Sequence, residues 1–298
     1  MMTAPKQPML RGELRLNEPL KRYNTWRVGG SARQMYLPAD ADDLAVFLDS
    51  LPPQEPLLWL GLGSNLLIRD GGFPGTVIML LGRLNSLSIE GDEVRVDAGV
   101  SCAKVARECA RANLTGAAFL AGIPGTMGGA LAMNAGAFGG ETWPIVGSVT
   151  TIDRGGRIHR RLPAEFKVSY REVVRPAEEW FLSCILSLKP GDGSAEQAAI
   201  RALLERRAAT QPTGQPSCGS TFRNPQGDHA ARLIEACGLK GYRIGGAEVS
   251  PKHANFIINT GDASAADIEN LVAHVAAEVE RQQGVRLQAE FHAVGESS

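Results

Sequence analysis

The sequence predicts an α+β fold with a larger first domain and a smaller second one. A chain of 298 residues is long enough for two domains. Helical periodicities occur among short apolar runs typical of strands. The segment KPGDGS, residues 189–194, has the proline, glycines and small polar residues of a linker. We therefore expect a loose lead-in over residues 1–20, a first domain of two α/β lobes over 21–190, and a second domain over 195–298.

Five helices are predicted, each from a capping residue or from apolar residues at helical spacing. They span residues 40–51 with Asp40 as N-cap, 101–113 with Ser101 as N-cap, 195–209, 229–238 closed by Gly238, and a last helix between Ser264 and Gly284. In the last helix the apolar side chains form one stripe, made of Ile268, Leu271, Val272, Val275 and Val279.

Strands are predicted from short apolar runs. They lie at residues 56–68 on both sides of a glycine turn, 77–81, 94–100, 149–162 as a hairpin, and 180–188. A final strand, VRLQAEFHAV, is predicted over residues 285–294 because its side chains alternate in character. Its apolar side is Val285, Leu287, Ala289, Phe291 and Ala293, and its polar side is Arg286, Gln288, Glu290 and His292.

Charge and composition disfavour several classes of protein. The formal net charge of −1 provides no broad field for nucleic acid or an anionic membrane. The start, MMTAPKQPML, lacks the apolar core of a signal peptide, and no run approaches a membrane span. The five cysteines are scattered and form no CxxC, so we expect neither disulfides nor a metal site. A reducing cytoplasm is the expected location.

Residues 116–140, GAAFLAGIPGTMGGALAMNAGAFGG, contain eight glycines among 25 residues. Two interpretations compete, a flexible surface loop and a backbone that a ligand approaches closely. The apolar side chains favour burial, and they are Phe119, Leu120, Ile123, Met127, Leu131, Met133 and Phe138. A buried glycine-rich backbone leaves amides that need partners, and pyrophosphate oxygens suit a nest of successive amides.

A second glycine loop, GLGSNL at residues 61–66, is a poor match to the dinucleotide fingerprint GxGxxG, because Leu66 replaces the third glycine. The chain contains no GxxxxGK[ST] either, which disfavours a nucleoside triphosphatase. We therefore predict that two separated glycine loops hold a nucleotide without a Rossmann fingerprint.

The polar segment PSCGSTFRNP, residues 216–225, is too polar for a core strand and too interrupted by proline and glycine for a helix. It does not match the GxSxG of serine hydrolases. On the residues alone, Ser220 is typical of a turn, and Cys218 is either a nucleophile or a small buried side chain. Arg171 and Glu290, taken in isolation, are typical of exposed positions.

Seven segments nevertheless occur together in a specific order. They are NTWRVGG (24–30), GLGSNLLIRDGG (61–72), GIPGTMGGALAMNAGAFGGE (122–141), SYR (169–171), CGSTFRNP (218–225), HANFIINTG (253–261) and LQAE (287–290). In this order they resemble the UDP-N-acetylenolpyruvoylglucosamine reductases, flavoenzymes of bacterial peptidoglycan precursor synthesis. The resemblance covers residues 14–295 and is to the shorter subtype, which lacks an inserted tyrosine loop in the second domain.

The resemblance implies an FAD-binding domain of the vanillyl-alcohol-oxidase (PCMH) type, followed by a smaller α+β substrate-binding domain. It implies that NADPH, as co-substrate, reduces a non-covalent FAD, and that the enolpyruvyl ether of a UDP-sugar then binds at the same flavin face. Hydride passes from flavin N5 to the vinyl carbon, and the resulting enolate is protonated to a lactyl ether. We expect no nucleic-acid or membrane partner, and we expect a monomer because the function requires no oligomer.

Site residues follow from the matched motifs. Ser220 matches the family's proton donor, Arg171 its catalytic arginine, and Glu290 its C-terminal glutamate. The matched cofactor-binding positions are Gly61, Gly63, Ser64, Asn65, Leu66, Gly122, Ile123, Pro124, Gly125, Thr126, Gly128, Gly129, Asn134, Ala135 and Gly136. The matched substrate-binding positions are Tyr170, Gln211, Arg223, Asn224, Lys252 and His253.

Two positions depart from the family pattern. Val173 stands where the family often has serine, and His292 stands where it usually has arginine. The first puts a secondary flavin or substrate contact in doubt, and the second predicts weaker or pH-sensitive cofactor binding. Two other functions remain open from the sequence, an oxidase of the same flavin fold and an inactive nucleotide-binding module.

Overall fold

The computed structural model describes residues 9–297. Over these residues the helices are α1 (Ala41–Asp49), α2 (Cys102–Arg111), α3 (Met127–Met133), α4 (Gly193–Thr210), α5 (Ala230–Ala236) and α6 (Ala265–Gln283). The strands before α4 are β1 (Glu13–Pro19), β2 (Ser31–Leu37), β3 (Leu57–Leu60), β4 (Leu66–Ile68), β5 (Phe73–Met79), β6 (Leu87–Glu90), β7 (Glu93–Asp97), β8 (Leu114–Thr115), β9 (Gly136–Ala137), β10 (Gly140–Glu141), β11 (Val146–Asp153), β12 (Ile158–Arg161), β13 (Lys167–Ser169), β14 (Glu172–Val174), β15 (Glu179–Ser187) and β16 (Lys189–Pro190). The strands after it are β17 (Arg243–Ile244), β18 (Ala247–Val249), β19 (Ile257–Asn259) and β20 (His292–Val294). No helix among residues 9–297 has both the length and the apolar character needed to cross a bilayer.

The first domain consists of two lobes, each built on its own sheet. One sheet has the order β1-β2-β5-β3, in which β2, β5 and β3 are parallel. The other is antiparallel, with the order β12-β11-β15-β7-β6. Helix α1 joins the two lobes, because Leu44 and Phe47 pack in one cluster with Ile78 of the first sheet and Leu182 of the second. The two lobes are therefore held together by α1.

The second domain packs α5 and α6 on the small antiparallel sheet β17-β18-β19. Its core includes side chains from the first domain. Trp26 is fully buried there and donates a hydrogen bond from Nε1 to the carbonyl of Ile257, at 2.8 Å. Asn259 donates to the carbonyl of Trp26 at 2.9 Å. The two domains thus share one hydrophobic cluster.

The predicted α+β class is confirmed, and so are the three predicted N-caps Asp40, Ser101 and Ser264. Asp40 caps α1 through the amide of Asp43, and Ser101 caps α2 through the amide of Lys104. Ser264 forms a capping box at the start of α6, and Gly284 ends that helix in the left-handed region. Each of these signals acts within a few residues of the helix end, so the packing of the rest of the chain does not override it.

The predicted final strand over 285–294 is wrong for most of its length. Only His292–Val294 forms a strand, and it pairs in parallel with Leu66–Ile68 of the first domain. Residues 288–290 instead run irregularly beside the polar segment, where the amide of Arg223 donates to the carbonyl of Gln288. Ala289 and Ala293, on the predicted apolar side of this strand, are exposed. The segment lies against Leu66–Ile68 of the first domain and against the polar segment 216–225, and the alternation of its own side chains reveals neither partner.

The expected linker and lead-in also differ from the structure. Lys189–Pro190 pairs with Leu114–Thr115, and Asp192 caps α4, so residues 189–194 are fixed in place. The start of the predicted lead-in, residues 1–8, lies outside the described residues, and Glu13–Pro19 forms an edge strand on β2. Because α4 packs its buried Ile200 in the first domain's core, its contacts favour a boundary after this helix. The division at residues 190 and 195 stays a prediction.

Candidate active site

The three residues matched to catalytic positions line one cavity of about 350 Å³ between the domains. We call it the Ser220 cavity. Arg171 reaches it from the β13–β14 hairpin, Ser220 from the polar segment 216–225, and Glu290 from the C-terminal segment. Residues from three distant parts of the sequence therefore face one space.

Arg171 and Glu290 form the charged wall of the Ser220 cavity. Arg171 Nε donates to Glu290 Oε1 at 2.8 Å, and Arg171 Nη2 donates to the carbonyl of Gly136 at 2.9 Å. Both side chains are largely buried, with exposed fractions of 18% and 14%. Arg171 also has a backbone φ of 57° at the end of a two-residue turn, a conformation that favours glycine. The fold therefore fixes this guanidinium through both its backbone and its side chain.

The Glu290 carboxyl is held in a partly dry environment. Burial raises its pKa above the ordinary value for glutamate, while the positive charges of Arg171 and Arg223 oppose that shift. A raised pKa makes the protonated form, which can donate a hydrogen bond, accessible closer to neutral pH.

Ser220 is positioned by the backbone around it. The next residue, Thr221, donates from its amide to the carbonyl of Asn255, and its own carbonyl accepts from the amide of Glu290. The side chain of Asn255 bonds both the amide and the carbonyl of Phe222. Ser220 therefore lies on a fixed backbone near Glu290 and lines the Ser220 cavity.

Cys218 is buried in the second domain's core. Burial, together with the nearby charge of Glu290, raises the pKa of its thiol well above the usual value. A neutral buried thiol is a poor nucleophile, which favours the interpretation of Cys218 as a packing residue.

A second space of about 480 Å³, which we call the central groove, adjoins the Ser220 cavity. Arg171 lines both spaces. Ten of the fifteen predicted cofactor-binding residues line the central groove, and they are Gly61, Gly63, Ser64, Asn65, Leu66, Ile123, Gly125, Thr126, Gly129 and Ala135. Gly128 lines an adjoining cavity of about 270 Å³ between β3 and the start of α3. Three others, Gly122, Pro124 and Gly136, line the Ser220 cavity.

The central groove fits the pyrophosphate of a dinucleotide. In the described part of the chain, the consecutive amides of Leu62, Gly63, Ser64 and Asn65 donate no backbone hydrogen bond. Successive free amides form a nest suited to anionic oxygens. A Cβ on Gly125 or Gly129 would meet protein only beyond 3.5 Å, so these glycines present open backbone to the groove. The donor set therefore suits FAD.

Asn134 is the predicted cofactor residue that lines none of these spaces. It is 1% exposed, and its side chain bonds Glu141 Oε2, the carbonyl of Ser169 and the amide of Trp143. Through these contacts Asn134 holds neighbouring parts of the site in position. A contact between Asn134 and the cofactor stays a prediction.

The predicted substrate residues divide among neighbouring spaces. Tyr170, Gln211 and Asn224 line the Ser220 cavity. Lys252 and His253 line an open outer cavity of about 780 Å³, which shares Gln211 and Phe138 with the Ser220 cavity. Arg223 lies on the side of the central groove instead. His292 and Val173, the two departures from the family pattern, also line that groove.

Several residues of the site were not predicted. Phe138, expected to be buried, is 40% exposed and lines the Ser220 cavity. Arg207, Arg175 and the stacked pair Trp59 and Trp180 line adjoining spaces. No motif marks these positions in the sequence, because their placement depends on how the two sheets and α4 come together.

Comparisons with known proteins agree with this geometry. Residues 32–161 match the family model of an FAD binding domain, and residues 211–294 match that of the UDP-N-acetylenolpyruvoylglucosamine reductase C-terminal domain. A UDP-N-acetylenolpyruvoylglucosamine reductase of Alkalilimnicola ehrlichii is 58% identical over 99% of both chains. One of Nitrosococcus oceani is 59% identical over 96% of this chain and 97% of its own.

A solved structure gives the same result for the fold. The crystal structure of UDP-N-acetylenolpyruvylglucosamine reductase from Thermus caldophilus superposes with a TM-score of 0.82, at 34% identity, over 96% of this chain and 99% of that one. Identity of this degree over nearly the whole length confirms the resemblance read from the motifs. The chain belongs to the UDP-N-acetylenolpyruvoylglucosamine reductase family and binds FAD.

Proposed function

We propose that the protein reduces the enolpyruvyl ether of UDP-N-acetylenolpyruvoylglucosamine with NADPH, in the synthesis of peptidoglycan precursors. The single observation that best supports this proposal is the convergence of Arg171, Ser220 and Glu290 on one cavity beside the groove for FAD. The reaction would take place in the cytoplasm, and we propose that a monomer suffices because every group needed comes from one chain.

When bound, FAD supplies a hydride to the vinyl carbon of the substrate. The side chains must then stabilise the negative charge that develops on the substrate carboxylate. Arg171 keeps a fixed positive charge beside that position, since its guanidinium is bonded on two sides. Glu290 in its protonated form donates a hydrogen bond to the developing enolate. Because burial raises the Glu290 pKa, this form is more accessible than it is for an exposed glutamate.

Ser220 delivers the proton that completes the reduction. A serine hydroxyl is a weak acid, but an enolate carbon is a strong base, so the transfer needs no unusual serine pKa. Asn255 and Glu290 form hydrogen bonds with Thr221 and Phe222, the two residues that follow Ser220. These bonds restrict the motion of the Ser220 backbone. A positioned proton donor of this kind contributes about 10² to 10⁴ in rate.

The surroundings of the site suit phosphate-bearing substrates. A cavity of about 380 Å³, which we call the arginine cavity, shares Gln211 and Arg207 with the Ser220 cavity. Arg22, Arg27 and Arg207 line it, and no carboxylate is among the described residues that line it. Both proposed substrates are polyanions, and an uncompensated positive wall attracts them.

Ser220→Ala tests the proposal by separating the two half-reactions. Reduction of FAD by NADPH should proceed at nearly the wild-type rate, whereas reoxidation by the UDP-sugar should slow by about 10² to 10⁴. Stopped-flow absorbance of the flavin measures both steps. Ser88→Ala, at an exposed position of β6 that lines none of the cavities described, should leave both steps intact.

Three results would count against the proposal. Fast reoxidation of Ser220→Ala by the UDP-sugar would show that Ser220 is not the acid. Rapid oxygen consumption with an alcohol and indifference to the UDP-sugar would favour an oxidase. Failure to take up FAD would favour an inactive module.

A further inference from the structure

The arginine cavity lies on the domain boundary and adjoins the Ser220 cavity. Its walls come from the turn over residues 22–27 of the first domain and from residues 211–219 of the second. It shares Arg207 and Gln211 with the Ser220 cavity, so one ligand can occupy both spaces. The Ser220 cavity therefore has two extensions, the arginine cavity on one side and the outer cavity, which shares Phe138, on the other.

Three arginines line the arginine cavity without an anionic partner. In the described part of the chain, Arg22, Arg27 and Arg207 form no ion pair with a carboxylate. Arg207 Nε donates to Gln211 Oε1 at 3.1 Å, and burial lowers the Arg207 pKa. Thr25 also lines the cavity, and its buried hydroxyl has no hydrogen-bond partner among the described residues. Guanidinium groups without a protein carboxylate are available to a phosphate, which they bind through two parallel N–H donors.

The arginine cavity also has an apolar surface that suits a nucleotide base. Leu62 and Leu81 line it, and they are 38% and 37% exposed. A base that packed on these two leucines would remove their apolar surface from water, which is favourable. An apolar surface beside uncompensated cations matches a nucleotide that carries phosphate.

Two nucleotides are candidates, NADPH and the UDP-sugar, because both react at the Ser220 cavity. The UDP-sugar carries its charge in one diphosphate. NADPH carries a diphosphate and also a 2′-phosphate on its adenosine, and a phosphomonoester has a charge of about −1.5 to −2 at pH 7. Three unpaired arginines suit the more anionic ligand. In the outer cavity, by contrast, Lys252 already donates to the carbonyl of Ala208.

We propose that the arginine cavity binds the adenosine 2′-phosphate of NADPH, and that Arg22 and Arg27 thereby select NADPH over NADH. The nicotinamide end of the same molecule occupies the Ser220 cavity, where hydride passes to the flavin. Arg207 lines both cavities, whereas Arg22 and Arg27 line only the arginine cavity among the cavities described. This inference rests on the proposed function for NADPH as the reductant and adds the residues that recognise it.

The test follows reduction of the FAD-loaded protein by NADPH and by NADH in anaerobic stopped-flow experiments. The double variant Arg22→Gln with Arg27→Gln should raise the dissociation constant of NADPH by about 10- to 100-fold, because charge-assisted hydrogen bonds to the 2′-phosphate are lost. Its dissociation constant for NADH should equal that of wild type. The limiting rate of flavin reduction should also stay the same, since the nicotinamide still reaches the flavin.

Binding of nucleotide fragments isolates the contribution of the 2′-phosphate. In calorimetry with FAD-loaded wild type, adenosine 2′,5′-bisphosphate should bind and compete with NADPH. AMP, which lacks the 2′-phosphate, should bind about 10- to 100-fold more weakly. The double variant should bind the two fragments equally.

Two controls separate recognition of the 2′-phosphate from general effects. Arg95→Gln removes the same charge from an exposed position of β7 that lines none of the cavities described, so it should change neither dissociation constant. Arg22→Lys combined with Arg27→Lys keeps the positive charges and should recover part of the NADPH affinity. Flavin absorbance and circular dichroism verify the FAD content and the fold of each variant.

The inference is overturned if the double variant keeps wild-type affinity for NADPH, or if its affinities for NADPH and NADH fall by the same factor. It is also overturned if the double variant binds the UDP-sugar more weakly and NADPH normally, because the arginine cavity would then belong to the UDP-sugar. A normal preference for NADPH with no reduction of the UDP-sugar would reject the proposed function alone.

Discussion

Arg171 combines a strained backbone with a strongly bonded side chain. A non-glycine residue at φ 57° costs about 1–2 kcal/mol relative to a right-handed conformation. The bonds to Glu290 and Gly136 offset this cost by holding the guanidinium between the Ser220 cavity and the central groove. Backbone strain of this kind is common at functional sites, where the surroundings over-determine one conformation. Here it directs Arg171 into the cavity.

Glu290 gives a prediction about pH and stability. Because burial raises its pKa, the folded protein binds this proton more tightly than the unfolded chain does. The resulting stabilisation is full below the unfolded value of about 4.3 and is lost as pH rises through the folded pKa. Glu290→Gln cannot lose a proton, so its free energy of unfolding should not show this decline. Urea denaturation of apoprotein across that pH range measures the difference.

The free energies of unfolding of wild type and Glu290→Gln should therefore diverge as pH rises from about 4.3 through the folded pKa of Glu290. Above that pKa the two profiles should run parallel. Glu269→Gln, at a partly exposed ion pair with Arg69 outside the Ser220 cavity, provides the comparison for loss of a carboxylate. Parallel profiles of wild type and Glu290→Gln throughout would mean that the Glu290 pKa is not raised.

At the scale of elements, Asn134 connects the end of α3 to the hairpin that carries Arg171. Its backbone adopts a left-handed conformation, with φ 45°, where α3 stops. Its side chain donates to Glu141 Oε2 at 2.9 Å and to the carbonyl of Ser169 at 3.2 Å. Ser169 is the last residue of β13, directly before the turn. A single buried amide thus fixes the hairpin relative to the helix.

Asn134→Gly and Asn134→Ala separate the two roles of this residue. Glycine tolerates the left-handed backbone but loses the side-chain bonds, so the free energy of unfolding should fall by about 1–3 kcal/mol. Alanine should lose about 1 kcal/mol more from backbone strain. Reduction of the UDP-sugar should slow in both variants because the Arg171 hairpin loosens, while FAD affinity stays the same. A large fall in FAD affinity with normal hairpin function would instead support the cofactor contact predicted from the sequence.

The elements also show where sequence reasoning succeeds. Helices α1, α2 and α6 were predictable because Asp40, Ser101 and Ser264 act on amides three residues away. The segment 285–291 was not, since its neighbours are Thr221 and Arg223 of a loop with no strand pattern. A helix cap depends on residues that are close together in the sequence, whereas strand pairing depends on a distant partner.

At the scale of the whole molecule, the site exists only when the domains are joined. Arg171 and Glu290 are 119 residues apart and meet across the domain boundary. Asp70 of the first domain accepts from the amides of Ala265 and Ala266 at the start of α6. The motifs predicted the catalytic trio through resemblance, but the arginine cavity, lined by residues of both domains, forms only when the domains come together. No spacing in the sequence encodes that assembly.

Trp26 offers the sharpest test of this dependence. Its ring lies in the second domain's core, 5.0 Å from Phe291 in an edge arrangement, and its Nε1 bonds the carbonyl of Ile257. Trp26→Phe keeps most of the apolar volume but leaves that buried carbonyl without its donor, so the free energy of unfolding should fall by about 1–3 kcal/mol. Because this bond joins the domains, affinity for the UDP-sugar should fall as well.

Trp143→Phe is the matched control. Trp143 is also buried and donates from Nε1 to a backbone carbonyl, that of Leu131, but both residues belong to the first domain's core. Its stability loss should be of similar size, while the binding of the UDP-sugar, measured by calorimetry with FAD-loaded protein, stays near wild type. If Trp26→Phe and Trp143→Phe weaken substrate binding equally, the effect is general destabilisation and the domains do not depend on Trp26 for their joint site. A selective loss in Trp26→Phe is expected, since only that variant removes a bond that crosses from one domain to the other.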